Sequence, residues 1–414
     1  MPDSDLFSAV RHVHAALATA SPSTEVDLPM VEALLRGRFA AGYGEQVLAV
    51  LVISGTLDQP ARGRFVTRPP APDLLTPTGF DDLLLLIEGL LQQAARADRT
   101  LRPHTWRLNP VTDPQLLPSR DAAVRWFDDH RSALLAALDM TIEQVSELDL
   151  AVALSDALDG LLQWTGHRHD RARVAELAAV ALIRQQLGPY LAGQEPARTR
   201  RHLVRMALVY ARICHARTDL EEHTDALRAA ATAAEFAHRS DEPAAVAAAL
   251  AARGRALAAQ GPPADAVPDL RHAVDVDQAH GDDHGTALYR HLLGRALAGS
   301  GHHRDALVEL RLAGVALVEI GDRVAGARVL TTMGAVHRRD GDTRVAFVVL
   351  GQALLVLAEH GAHADLGDVY AELARSERDT GDLDTARAYY RAAAQHYRLD
   401  GHAVWTDTEA TTTT

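Results

Sequence analysis

The side chains able to hold a metal or move a proton are 21 histidines and 55 carboxylates in a chain of 414 residues. Their densest local set is Gly166-His167-Arg168-His169-Asp170. Zinc takes three or four ligands and normally declares a further His or Cys at short spacing, which this stretch lacks. His167 and His169 would point to different sides of a helix. His280, His284 and the His302-His303 pair fall at turns between helical patterns, where solvated polar side chains are expected. The acid pairs Asp128-Asp129 and Asp282-Asp283 would diverge by about 100° on a helix, a poor layout for a general acid and base. Cys214 is the only cysteine and sits among small packing residues. It is expected to be a buried, inert thiol, and no disulfide framework can form. No Gly-x-Ser-x-Gly elbow occurs. These patterns assign no catalytic residue, no metal and no cofactor.

All 42 basic residues are arginine, since lysine is absent. A phosphate-binding loop of the Walker type needs a lysine after a glycine-rich turn to reach the terminal phosphates. Nucleotide hydrolysis through such a loop is therefore excluded. A formal net charge of −13 argues against general nucleic-acid affinity. The longest apolar runs, residues 46–54 and 83–91, fall short of a membrane span, and the start of the chain reads as an amphipathic helix with Asp3 and Asp5. The expected location is the cytoplasm, without membrane attachment.

The elements that position these residues are helices. Hydrophobic residues make up 47% of the chain but aromatic ones only 5%, a balance of Ala, Leu and Val that suits close-packed helices. Glycines stand at 261, 281, 301, 321, 341, 361, 381 and 401, an unbroken step of 20. Each separates two helical patterns, where a left-handed cap needs a residue without Cβ. Two helices per unit give a period of 40. Small residues keep the same phase at Ala226, Ala266, Ala306, Ala346 and Ala386, and again at Ala233, Ala273, Ala313, Ala353 and Ala393. Another column runs Cys214, Gly254, Gly294, Gly334 and Ala374. Five helix pairs follow this register from about Arg201 to Gly401. A less regular pair, Asp149–Trp164 and Asp170–Gly188, precedes them, with a loop at Gly193–Thr199.

Leu293-Gly294, Gly301, Ala306, Leu310 and Ala313 resemble the tetratricopeptide pattern of Leu-Gly, turn, Ala, large apolar and Ala. The period exceeds the usual 34 residues because each helix is longer. The implied fold is all-α: a right-handed superhelical solenoid of helix pairs with an N-terminal winged-helix-like domain. Residues 122–138, with Trp126 and Leu134, are similar to the helix that leads into the repeats of actinobacterial NB-ARC/STAND regulators, although His130 and Ala133 depart from that pattern. The order helix (Asp5–Ala18), helix (Leu28–Arg36), helix (Glu45–Ser54), strand pair (around Leu57 and Arg64–Thr67) is similar to the winged helix of the same regulators. The resemblance implies a switch's sensor arm without its ATPase, in a setting such as control of secondary metabolism. The expected divisions are 1–70 winged-helix-like, 71–147 helical linker, 148–402 solenoid and 403–414 disordered tail.

The resemblance also implies which residues line the concave wall, because the first helix of each pair faces inward. Counted from the Leu-Gly column, one row is His215, Arg255, Arg295, Ala335 and Arg375. A second is Thr218, Ala258, Ala298, Arg338 and Arg378. His291 belongs to a third, and Arg328 lies further toward its helix start. No acid falls in the three rows, with Asp368 near the rim. Guanidinium forks recognise carboxylates and phosphates, so the expected partner is a protein or acidic peptide, or else an anionic small molecule on which an enzyme or accessory factor would act. DNA is disfavoured, since the helix at the reading position offers only Glu45 and Gln46 before turning apolar; Arg62, Arg64 and Arg68 could at most touch phosphate. The oligomeric state is open.

Overall fold

The computed structural model describes residues 3–17, 25–36, 39, 44–54, 56–61, 64–67, 80–104, 116–145, 147–191 and 200–399. The loop expected at Gly193–Thr199 and the tail at 403–414 lie outside them. Two compact units result: residues 1–103, 107–161 and 180–195 form one, and residues 104–106, 162–179 and 196–414 the other.

The first unit begins with α1 (Asp3–Leu17), β1 (Glu25–Val26), α2 (Leu28–Leu35), α3 (Gly44–Ile53), β2 (Leu57–Ala61) and β3 (Arg64–Thr67). These are the helices and the strand pair expected from the sequence, plus the two-residue β1, which is too short to leave a pattern. The strands form an antiparallel sheet in the order β1-β3-β2, with Val26 opposite Phe65 and Leu57 opposite Thr67. The register slips between Asp58 and Ala61, around Pro60, a residue unable to donate to the ladder. Asp27 caps α2, accepting the Met30 amide at 2.8 Å. Helix α3 buries Val47, Leu48, Val50, Leu51, Val52 and Ile53. Then come α4 (Phe80–Leu101), α5 (Arg120–Met140), a π-helical turn (Thr141–Val145), α6 (Leu148–Trp164) and α7 (Arg168–Leu191). The Ser132 hydroxyl of α5 lies 2.8 Å from Asp58 Oδ1 and so ties that helix to β2. The division between the units runs through α6 and α7.

The second unit holds five antiparallel pairs: α8 (Arg200–Asp219) with α9 (His223–Ser240), α10 (Pro243–Gln260) with α11 (Val267–His280), α12 (Asp283–Gly299) with α13 (His303–Ile320), α14 (Arg323–Arg339) with α15 (Thr343–Glu359), and α16 (His363–Thr380) with α17 (Leu383–Leu399). The expected repeat is present in every pair. From Gly281 to Gly381 each glycine of the 20-residue step is left-handed, with φ between 61° and 92°. Gly261 departs from the rule: its φ is −143° and its backbone extended, because Pro262 follows and excludes the helical region. Glu221 and Asp241 hold the same turn positions without glycine, at φ 61° and 50°.

The column of small residues exists for close approach. A Cβ on Gly254 would lie 2.7 Å from Leu270 Cγ, one on Gly294 2.7 Å from Leu310 Cγ, and one on Gly334 2.6 Å from Leu350 Cγ. Helices α10, α12 and α14 thus each close onto a leucine of their second helix. Those leucines are fully buried, within two apolar clusters that run from Ala251 to Val336 and from Val324 to Leu373. Cys214 is fully buried and directs its thiol at the Ala252 carbonyl, 3.3 Å away. Among the described residues no helix is long and apolar enough to cross a membrane.

Candidate functional site on the concave wall

Successive first helices (α8, α10, α12, α14, α16) pack on one another, whereas successive second helices stand further apart. The wall residues expected from the repeat stand on these first helices. What surrounds them is less basic than the rows suggested.

Arg255 of α10 is ion-paired through Nη2 to Asp219 Oδ1, and its Nη1 lies 3.3 Å from Nδ1 of His215. Asp219, at the end of α8, also accepts Arg171 Nη1 at 2.9 Å. Arg328 forms a two-pronged pair with Asp365, at 2.7 and 2.9 Å. That carboxylate raises the arginine's pKa above its ordinary value against the cost of burial. Arg338 bridges Glu372 at 3.2 Å and Asp379 at 2.8 Å, and Arg375 reaches Glu372 at 2.6 Å. Four of the six predicted arginines are thus held by carboxylates of the scaffold. Asp219, Asp365 and Asp379 come from helix ends and Glu372 from the middle of α16, all outside the three rows. An arginine side chain is long enough to reach them, which is why a count by rows missed the acids.

Two arginines differ. Arg378 is exposed, and its side chain has no hydrogen bond or ion pair among the described residues. Arg295 of α12 is also open to solvent and equally without a direct partner, yet protein crowds it on several sides. Burial and then the like charge of Arg255 pull its pKa below the ordinary arginine value, while Asp368 and Asp219 act in the opposite sense. The guanidinium is charged regardless, being far above neutral pH.

His291, one turn before Arg295, lies 2.8 Å from the Thr332 hydroxyl. Burial, then Arg295 and Arg328, depress its pKa to about 3, so it is a neutral hydrogen-bonding group at physiological pH. On α16, Asp368 accepts a hydrogen bond from the Tyr397 hydroxyl at 2.6 Å. Its pKa is nevertheless raised, chiefly by burial and also by Asp365. Asp219, Asp365, Asp368 and Glu372 therefore stand on the first helices beside the predicted residues, with Tyr397 of α17 reaching Asp368; Asp368 alone was visible from the sequence, at the rim.

The other candidate chemistry stays dispersed. His167 meets the Thr165 hydroxyl at 2.8 Å, and His169 is exposed. His284 lies 3.1 Å from Asp322, His303 3.3 Å from Asp340, and His280 and His302 are exposed. Burial pushes the Cys214 thiol up to about 11, so it does not ionise near neutrality.

No family model matches the chain, and no curated protein matches it. Solved structures do. A Rap protein complexed with Competence and Sporulation Factor is 15% identical, with a TM-score of 0.51 over 96% of both chains. Aspartyl phosphate phosphatase F from Bacillus subtilis is 12% identical, with a TM-score of 0.50 over 97% of both chains. The apo form of RapI is 16% identical, with a TM-score of 0.50 over 66% of this chain and 92% of that one. This chain has a tetratricopeptide-type fold. At such identities the likeness extends to the fold alone.

Proposed function

We propose that the chain is a non-catalytic regulatory protein that docks an acidic peptide or a protein partner in the concave groove, with Arg295 as the central anchor. The observation that carries this reading is the state of Arg295. It is a charged fork in a concavity, where neighbouring arginines are already neutralised by scaffold carboxylates and it is not. A carboxylate arriving there meets an unshared, partly desolvated guanidinium, flanked by the neutral His291 and by Arg328. Charge-assisted pairs of that kind are the stronger hydrogen bonds. The exposed Arg378 would extend the contact toward the end of the groove. The paired residues His215, Arg255, Arg328, Arg338 and Arg375 would shape the wall rather than bind. That one similar structure is a Rap protein complexed with a factor agrees with a groove that holds a partner.

The N-terminal elements, read as a winged-helix-like module of residues 1–70 followed by a linker, would serve as a packing domain. Their α3, at the place of a reading helix, is buried along most of its length and leaves little face for bases. The link to NB-ARC/STAND regulators rests on this element order and on Trp126 with the buried Leu134.

The test is binding of a fluorescent oligoglutamate peptide by anisotropy. Arg295→Glu should weaken binding about tenfold or more, a change of roughly 1.4 kcal/mol, and leave the melting temperature in place. Binding should also fall as salt is raised. Arg255→Glu is the poorer probe, because it sets two acids against each other at Asp219. Equal peptide affinity in wild type and Arg295→Glu would remove the reading.

A further inference from the structure

We propose that the outer face formed by α13 and α15 is a self-complementary interface through which two copies of this chain form a two-fold dimer. On the outer side of these adjacent second helices Val308 (52% exposed), Leu312 (45%), Val315 (59%), Val348 (59%) and Leu355 (69%) stand in solvent. Their spacing of three, four and seven residues puts them on one stripe of each helix. The other second helices differ at the corresponding positions, 40 residues apart. In place of Val308 and Val348 they carry Arg228, Pro268 and Ala388; in place of Val315 and Leu355 they carry Glu235, Asp275 and Gln395. The apolar face is confined to one pair of neighbouring helices.

Charge identifies the occupant. Each stripe has an arginine toward its start and a glutamate toward its end, Arg304 and Glu319 on α13, Arg344 and Glu359 on α15. The side chains of Arg304, Glu319 and Arg344 are exposed and have no hydrogen bond or ion pair among the described residues. Glu359 pairs with Arg323 at 2.8 Å, both more than half exposed, a weak and exchangeable contact. Four residues of each stripe are placed symmetrically about a midpoint, which is flanked by Arg311 and Leu312 on α13 and by Gly351 and Gln352 on α15. Arg304 and Glu319, and likewise Val308 and Val315, lie equally far from the point between 311 and 312. Arg344 and Glu359, and likewise Val348 and Leu355, lie equally far from the point between 351 and 352. The two midpoints are one 40-residue repeat apart and so sit at the same height on parallel helices. A single two-fold axis crossing both would lay α13 and α15 antiparallel on their copies in the second chain. Each Arg304 would then meet Glu319 of the second copy, each Arg344 would meet Glu359, and valines and leucines would close between them. An isologous interface requires this self-complementarity.

Gly351 supports the same axis. It lies in the interior of α15 beside the midpoint, and a Cβ there would meet nothing within 4 Å. A glycine inside a helix costs roughly 1 kcal/mol relative to alanine, and nothing in its own chain calls for one here. Close approach of a second helix would.

Sedimentation or light scattering of the full chain tests the proposal. The wild type is expected at twice 44.6 kDa, and Val315→Glu with Leu355→Glu at 44.6 kDa, with unchanged circular dichroism. Arg304→Glu and Glu319→Arg should each raise the dimer dissociation constant about tenfold or more. Their combination in one chain should restore it, because the reversed charges again face each other across the axis. Gly351→Leu should weaken the dimer without lowering the melting temperature. A wild type that stays at 44.6 kDa at every concentration overturns the proposal and leaves the face to a different partner. So does a dimer that Val315→Glu with Leu355→Glu leaves intact, since the copies would then join elsewhere.

Discussion

Gly294 and Leu310 meet so closely that a single methyl group on the glycine would sit 2.7 Å from the leucine's Cγ. Leu310 is fully buried and belongs to the main apolar cluster of the solenoid, so it has little room to yield. Gly294→Ala should therefore destabilise the fold despite alanine's better helix propensity. Overpacking costs about 1–3 kcal/mol against a gain of about 1 kcal/mol. Gly294→Val should be worse. Leu310→Ala alone should cost about 2–5 kcal/mol through the cavity it leaves. The double variant Gly294→Ala with Leu310→Ala should lose less than the sum of the two single losses. Urea melts of the four chains give the coupling, and strict additivity would contradict the close contact.

The wall arginines should separate into structural and free members. Arg338 and Glu372 are each only 12% exposed, so Arg338→Met leaves a nearly buried carboxylate short of a partner. A loss of about 1–3 kcal/mol is expected. Arg378→Met, at an exposed side chain with no pair to break, should stay within about 0.5 kcal/mol of wild type. Thermal unfolding of both variants distinguishes them, and equal losses would mean that the ion pairs on α16 carry no stability.

Asp277 makes the stability depend on pH. It is 2% exposed, its Oδ1 has no hydrogen-bond partner, and burial followed by the charge of Asp282 moves its pKa from 3.8 to about 7. Between those values the native chain holds a proton that the unfolded chain has released. Stability contributed by the neutral carboxyl is therefore present at low pH and lost as pH rises through about 7. Asp277→Asn keeps the shape and removes the titration. It should stabilise the chain at alkaline pH, by an amount on the order of 1 kcal/mol, and flatten the dependence between about pH 4 and 7. Melting temperatures across that range for both chains provide the check; parallel curves would place the titration elsewhere.

Cys214 should be silent toward thiol reagents in the native state. It is fully buried, its thiol points at a backbone carbonyl, and its pKa is pushed up to about 11. Only thiolate reacts, so labelling by an aromatic disulfide at neutral pH should await unfolding and then proceed to one equivalent per chain. Rapid labelling of folded protein would show that the α8 end of the solenoid opens.

The repeat was legible in the chain because a solenoid needs the same local solution in every unit. A tight turn demands glycine at a left-handed position, and two crossing helices demand a small residue facing a large one. The 20-residue step of glycines and the Cys214, Gly254, Gly294, Gly334, Ala374 column therefore foretold the turns and crossings, and the curvature followed from their repetition. The three apolar, short-spaced segments before residue 54 likewise announced α1 to α3. Even inside the repeat, Gly261 shows the limit, since the following proline overrides the turn that the glycine step implies.

Charge on the groove was another matter. Which arginine remains free depends on carboxylates brought from elsewhere: Asp219 from a helix end, Asp365 and Glu372 from the next repeat. For Arg255, Arg328 and Arg338 the pairing is decided by distances between side chains far apart in sequence, and a repeat register records the position of a Cβ but not the reach of a guanidinium. The residue types and the wall on which they stand follow from the chain alone. That Arg255, Arg328 and Arg338 are neutralised while Arg295 is not was settled only when the helices were packed, because their ion pairs form between helices rather than between neighbours in sequence.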